Sequence, residues 1–187
     1  LITVVTTAVA AWLALTTLAF ALRFGLSPWT FLHESYRISD TVTQYLFVDT
    51  FQVYGETGPA LYRIVDALTG LEDLAILGTN AVLSSLAVPA LVFLDLALFR
   101  RWGRALFSGL VLCLLPLHLR FSASEDLFTV GVFFMLCALA LLADYARRRE
   151  WMSLVAGMTA LSLSMQSRPE LLMLPALAWL MLPALRT

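Results

Sequence analysis

The stretch that decides the fold is residues 76–104, ILGTNAVLSSLAVPALVFLDLALFRRWGR. Residues 76–94 carry no charge, and the apolar run continues past Asp95 to Phe99. A helix needs about 20 apolar residues to cross the hydrocarbon core of a bilayer, which is about 30 Å thick. The run is long enough, and a basic turn containing Arg100, Arg101 and Arg104 follows it directly. This stretch therefore predicts a membrane-spanning helix that ends at a cluster of arginines.

The composition of the whole chain is that of an integral membrane protein. Of its 187 residues, 60% are hydrophobic and 13% are charged, and the 12 basic residues, all Arg, nearly balance 13 acidic residues. Soluble domains carry about 25% charged residues. A disordered chain is excluded because it needs low hydrophobicity and high net charge. An electrostatic nucleic-acid binder is excluded because the chain has no basic excess.

Five further apolar runs accompany the first. They lie at 1–22, 105–119, 127–143, 151–165 and 171–185, and the run at 105–119 is short and contains Pro116. Because the runs are apolar on every face, we expect an all-α, polytopic transmembrane helix bundle of about six spans. Residues 1–187 are expected to form a single transmembrane domain. The chain starts inside one run without an initiator Met and ends just after another, so we interpret it as a fragment of a longer chain.

The arginine clusters predict the orientation of the spans. Short cytoplasmic loops carry an excess of positive charge. Six spans place Arg100–Arg101–Arg104, Arg147–Arg149 and Arg186 on one side, which we assign to the cytoplasm. The opposite, extracytoplasmic side then receives the long segment 24–75 and the turns near 120–126 and 166–170. We expect a multi-pass protein of the cell (inner) membrane.

The first outer loop, residues 24–75, differs from the rest of the chain. It holds seven of the 13 acidic residues and many aromatic residues, a mixture typical of the membrane interface. Apolar residues recur at a helical spacing over 38–54, which predicts one or two amphipathic interfacial helices. Gly58-Pro59 is expected to open a further helix over 60–68, and Thr69-Gly70 to end it.

Three polar groups of residues are candidates for chemistry. Glu34 is expected near the membrane face, where a carboxylate beside a low-dielectric surface can act as a general base; a solvated loop acid is the alternative. Glu125 and Asp126 lie at the outer start of the fourth span, where helix capping is the alternative. Arg168 is suited to a phosphate head group, and the alternatives are a surface pair with Glu170 or an arginine that snorkels to the interface.

These three groups are predicted to converge, because their loops lie on the same side of one bundle. The spacing of His33 and His118 is not a metal motif, and Cys113 and Cys137 are interpreted as small buried apolar side chains. No cofactor is indicated, and no phosphate-binding glycine loop occurs. A divalent metal is neither indicated nor excluded.

The order of the motifs along the chain resembles that of membrane glycosyltransferases of the C superfamily, especially the bacterial branch related to protein O-mannosyltransferases and the aminoarabinose transferases of lipid A. The resemblance covers nearly the whole chain. It is carried by HESY at 33–36, GPALY at 58–62, the set Pro116, Arg120, Ser122 and Asp126, SRPE at 167–170, and LPAL at 174–177.

The resemblance implies inverting transfer of a sugar from a polyprenyl-phosphate donor to a glycan, lipid or protein acceptor on the extracytoplasmic face. Glu34 would be the base, with Glu125 or Asp126 as a supporting acid and Arg168 at the lipid phosphate. Asp40 is the fallback base, because many relatives have a second acid where this chain has His33. By the same resemblance His33, Tyr36 and Arg120 would contact substrate.

Two other functions remain open at this point. A transporter or channel would place ionisable residues at the centre of the spans, whereas here the acids cluster at span ends and in one loop. A non-catalytic membrane subunit is the other alternative.

Overall fold

The computed structural model describes residues 2–25, 57–70, 74–124 and 128–167. In these residues the chain is entirely helical and has no strand, as the all-α prediction requires. The helices are α1 (Ile2–Gly25), α2 (Thr57–Thr69), a π-helical turn (Leu74–Gly78), α3 (Thr79–Phe99), α4 (Trp102–Leu114), α5 (Pro116–Ser122), α6 (Phe128–Arg148) and α7 (Trp151–Ser167).

Three helices in the described part of the chain are long and apolar enough to cross a bilayer. Their spanning segments are Thr6–Gly25, Ala75–Phe99 and Phe128–Arg148. The pair α4 and α5 makes a fourth span if it is counted as one bent unit. Helix α7 has 17 residues, fewer than the roughly 20 that a straight span needs. The run at 171–185 lies outside the described residues, so the total of six spans stays a prediction.

The run at 105–119, the third predicted span, forms two helices with a break between them, so its crossing of the membrane stays a prediction. Helices α4 and α5 meet at an angle of 59°. Leu115 lies between them with φ −61° and ψ 116°, an extended conformation. Pro116 is the cause, because a proline ring disfavours the helical conformation of the residue before it. Pro116 is the first residue of α5, a position where the helix makes no backbone hydrogen bond that would need the missing N–H.

The helices run alternately up and down, so the bundle has two distinct ends. We call one the arginine end: it contains the α3–α4 connection at Arg100–Arg101 and the α6–α7 connection at Arg149–Glu150. We call the other the loop end: there α1, α5 and α7 finish and α2, α3 and α6 begin. All six arginines of the two central clusters lie at the arginine end, as the charge pattern predicts.

Small residues allow the helices to approach closely. A Cβ atom added to Gly109 of α4 would lie 2.5 Å from Cγ2 of Val92 and 2.9 Å from Cδ2 of Leu15. Gly109 therefore lets α4 pack against both α3 and α1, where Leu15, Val92 and Cys113 form a buried cluster. Glycine at such contacts is typical of helix packing in membranes.

The two cysteines and the short helix at 60–68 agree with expectation. Cys113 is buried and Cys137 half-buried, and both are free thiols. Helix α2 includes residues 60–68, and Gly70 follows it with φ +64° and donates its N–H to the carbonyl of Asp66 at 2.7 Å. Glycine adopts this left-handed conformation without a Cβ penalty. The interfacial location of α2 stays a prediction, and residues 38–54 lie outside the described part.

Candidate functional site

Most of the predicted site residues fall outside the described part of the chain. Arg120 is the exception: it lies on α5 with an exposed side chain, and its guanidinium carbon is 5.9 Å from the ring centroid of Phe121. The others lie in 26–56, 125–127 and 168–187: His33, Glu34, Tyr36, Asp40, Glu125, Asp126 and Arg168. The structure does describe the residues on which those three segments are anchored.

The segment that carries Glu125 and Asp126 begins at a buried chain of hydrogen bonds. Tyr62 of α2 donates its hydroxyl to Oδ1 of Asn80 at 2.9 Å, and Nδ2 of Asn80 donates to the carbonyl of Ser124 at 2.6 Å. All three residues are fully buried. Because both the oxygen and the nitrogen of the Asn80 side-chain amide are hydrogen-bonded, α2, α3 and the turn before Glu125 are fixed to one another.

A second polar cluster lies at the end of α1, centred on Arg23. Its Nε donates to Oγ of Ser84 at 2.8 Å, and Nη2 lies 2.7 Å from Nδ1 of His118. Nη1 and Nη2 also donate to the carbonyls of Ala19, at 3.2 Å, and Leu112, at 3.5 Å. These bonds tie the last turn of α1 to α3, α4 and α5.

The charge of Arg23 is the notable feature of this cluster. A guanidinium stays protonated in proteins, and Arg23 is fully buried. Among the residues that the structure describes, no carboxylate lies within ion-pair distance of it. A buried charge in a membrane protein is expensive and is usually paired or functional. Arg23 therefore places a buried positive charge at the loop end.

The third anchor is the end of α7. Thr57, at the start of α2, donates its hydroxyl to the carbonyl of Leu163 at 3.0 Å. Ser164 donates to the carbonyl of Gly131 on α6 at 2.9 Å. Ser167, which directly precedes Arg168, is fully buried and bonds back to Leu163 at 2.8 Å. The chain thus reaches Arg168 from a fixed position at the loop end.

The three anchors belong to one end of one bundle. Ser124 and Ser167 each precede a predicted site residue by one position, and Gly25 precedes Glu34 by nine. Nine residues span at most about 30 Å when fully extended. The hydroxyl of Thr79, also at the loop end, is buried without a hydrogen-bond partner among the described residues. The loop end therefore combines a buried cation, an unsatisfied hydroxyl and the attachment points of all three polar segments.

Comparison with protein-family models finds no match, and no curated protein or solved structure matches the chain.

The described residues contain no group of three or more His, Cys, Asp or Glu side chains that could hold a metal ion. Among the described residues, the loop end offers instead the buried charge of Arg23 and the unpartnered hydroxyl of Thr79. Such groups suit an anion, because charge-assisted donors inside a low-dielectric environment stabilise negative charge strongly.

Sequence reasoning did not assign Arg23 a role beyond ending the first span. Its partners Ser84 and His118 are 61 and 95 residues away in the chain. No local pattern reveals such a contact. The sequence does contain one indication, the single arginine at the end of a long uncharged run. Such an arginine either extends to the membrane interface or finds polar partners inside the bundle.

Proposed function

We propose that this chain belongs to an integral membrane glycosyltransferase that moves a sugar from a polyprenyl-phosphate-linked donor to an acceptor at the extracytoplasmic face. The observation that supports it is the connected loop end, where hydrogen bonds link the anchors of the segments carrying Glu34, Glu125–Asp126 and Arg168. A donor held in the bilayer by its lipid requires a site at the membrane boundary, which is where we expect the loop end to lie.

In the proposed reaction, Glu34 accepts the proton of the acceptor hydroxyl. The hydroxyl oxygen attacks the anomeric carbon of the sugar while the bond from that carbon to the donor phosphate oxygen breaks. The phosphate leaves with the electron pair of that bond, and because the attack comes from the opposite face of the sugar, the configuration at the anomeric carbon inverts. Glu125 or Asp126 supports the acceptor side, with Asp40 as the fallback base.

The leaving phosphate gains negative charge, and two arginines are proposed to stabilise it. Arg168 would contact the phosphate through a bidentate pair. Arg23 would stabilise the phosphate at a distance through its positive charge, since it is buried and has no described carboxylate partner. His33, Tyr36 and Arg120 are proposed to contact the sugar or the acceptor.

A transporter or channel is the second candidate, and a non-catalytic membrane subunit the third. A transporter is favoured by ionisable groups at the bilayer midplane. In the described spans the ionisable side chains lie toward the helix ends: Arg23 in α1, Asp95 in α3 and Asp144 in α6. This distribution supports the enzyme.

The test is Glu34→Gln in the full-length protein, with Asp40→Asn as the matched control and sugar transfer from a lipid-linked donor as the readout. We expect Glu34→Gln to lower the transfer rate by about 10²–10⁴-fold, the usual contribution of a general base. Asp40→Asn is expected to retain activity. Loss in Asp40→Asn alone would move the base to Asp40. Unchanged transfer in both variants, at normal expression, would rule out both carboxylates as the base.

A further inference from the structure

A long apolar groove runs along one face of the bundle toward the arginine end. It has a volume of about 820 Å³ and lies between α1, α3 and α6. Pro89, Phe93 and Ala97 form its floor at a spacing of four residues along α3. Trp12 stands on one wall and Phe133 on the other. The groove lies away from the loop end, so the proposed sugar-transfer site does not account for it.

The length of the groove matches one leaflet of a bilayer. Its residues on α3 extend from Leu86 to Arg100. At 1.5 Å per residue this is about 21 Å. Half of a hydrocarbon core is about 15 Å, and the remainder reaches the level of the head groups. The length of the groove along α3 is therefore that of an acyl chain with its glycerol and phosphate in one leaflet.

The mouth of the groove carries a positive charge. Arg100, Arg147 and Arg148 line it together with a single carboxylate, Asp144. Arg148 pairs with Asp144 at 2.8 Å, and Arg147 donates to the carbonyl of Leu98. Arg100 has no ion pair or side-chain hydrogen bond with any described residue. The mouth thus offers unneutralised guanidinium groups, which match phosphate oxygens in geometry and charge.

The wall of the groove contains an unsatisfied donor. The indole N–H of Trp12 is buried and meets no acceptor among the residues that the structure describes. The ring of Trp12 lies 5.3 Å from that of Phe93 on the floor. A buried polar group is ordinarily hydrogen-bonded, so the N–H of Trp12 is an exception among the described residues.

We propose that the groove binds one anionic phospholipid from the leaflet at the arginine end, with an acyl chain along α3 and its phosphate at Arg100 and Arg147, the two lining arginines that no described carboxylate neutralises. Basic pockets between membrane helices are known to bind anionic head groups in this way. The proposal is independent of the sugar-transfer reaction, because it concerns the opposite end of the bundle.

Charge argues against the other occupants. A second copy of the chain would bring the same cationic mouth, and the two would repel. The predicted span at 171–185 is followed by Arg186, which would add to the positive charge already there. A zwitterionic phospholipid has the acyl chain but no net charge for the arginines to attract.

The test uses the purified full-length protein in detergent, with titration of phosphatidylglycerol or phosphatidylcholine followed by native mass spectrometry. The charge variant is Arg100→Gln with Arg147→Gln. The matched control is Arg101→Gln with Arg149→Gln, which removes the same charge beside the groove. The two pairs of substitutions also place the same demand on the backbone, since each changes one residue in the left-handed conformation, either Arg100 with φ 55° or Arg149 with φ 60°. A third variant, Ala97→Phe, fills the floor, with Val111→Phe as its control on an exposed apolar position.

We expect wild type to prefer phosphatidylglycerol and the charge variant to bind it about 30-fold more weakly, at about 1 kcal/mol per arginine. The matched control should change less than about threefold, and Ala97→Phe should weaken binding of both lipids. If the charge variant and its matched control lost equal affinity for phosphatidylglycerol, the proposal would be overturned. The lipid would then be attracted by the charge of the whole surface and not by the groove. Equal binding of both lipids by wild type would overturn it as well. No binding to folded wild type would show that another part of the protein fills the groove.

Discussion

Nη2 of Arg23 lies 2.7 Å from Nδ1 of His118, a contact between the last turn of the first helix and the short helix α5. A guanidinium only donates hydrogen bonds, so Nδ1 of His118 is the acceptor. A neutral His118 consequently carries its proton on Nε2. This pair connects the buried charge of Arg23 to the bent pair α4–α5 and fixes the position of α5.

The first prediction concerns this pair. Arg23→Gln removes several buried bonds, and interhelical hydrogen bonds in membranes average about 0.6 kcal/mol each, so we expect a loss of about 2 kcal/mol in unfolding free energy. His118→Phe should cost about 1 kcal/mol for its share of the same network. The double variant should lose less than the sum, with a coupling of about 0.5–1 kcal/mol. Unfolding in mixed detergent micelles measures all three, and strict additivity would contradict the contact.

The second prediction concerns the docking of α2. Tyr62→Phe removes the hydroxyl that bonds to Asn80 but keeps the ring, so we expect a loss of about 0.6–1.7 kcal/mol. The effect should be local, and hydrogen exchange of residues 57–70 should accelerate. Ser85→Ala is the control, because the Ser85 hydroxyl bonds to the carbonyl of Ala81 within its own helix. Equal exchange rates in Tyr62→Phe and wild type would show that the bond does not hold α2.

The third prediction concerns the close packing of α4. Gly109→Val places a branched side chain where a Cβ atom already lies 2.5 Å from Val92, so we expect about 1–3 kcal/mol of destabilisation from overpacking. Gly103→Ala is the matched control in the same helix, since a Cβ there meets nothing within 4 Å. Thermal unfolding in detergent should separate the two variants. A Gly109→Val protein as stable as Gly103→Ala would contradict this packing.

The fourth prediction concerns the two ends of the bundle. In a background with Cys113 and Cys137 replaced by Ala, we expect a membrane-impermeant maleimide to label Ala60→Cys from the extracytoplasmic side. Arg101→Cys and Arg149→Cys should be labelled from the cytoplasmic side. All three positions are exposed. Labelling of Ala60→Cys and Arg101→Cys from the same side would contradict the alternating arrangement of the helices.

The sequence predicted the helices well where a single physical requirement decides them. The runs at 1–22, 76–99 and 127–143 correspond to α1, α3 and α6 because the length of an apolar helix is set by the bilayer alone. The run at 105–119 was less predictable. Pro116 was visible, but the 59° bend depends on the extended conformation of Leu115 and on where α5 finds contacts.

The candidate site was less accessible to sequence reasoning than the fold. The segments with Glu34, Glu125 and Arg168 were identified from residue type and topology, and their mutual geometry stays a prediction. The contacts of Arg23 with Ser84 and His118 come from tertiary packing, which no spacing rule contains. Tyr62 and Asn80 are similar, since they are 18 residues apart and belong to different helices.

The connections of the bundle differ between its two ends. At the arginine end, α3 turns into α4 and α6 into α7 within two residues, through Arg100 and Arg149 in left-handed conformations. At the loop end, side-chain bonds such as those of Tyr62 and Asn80 hold neighbouring helices together. Any separation of the helices about these two short hairpins would therefore first have to break the side-chain bonds at the loop end.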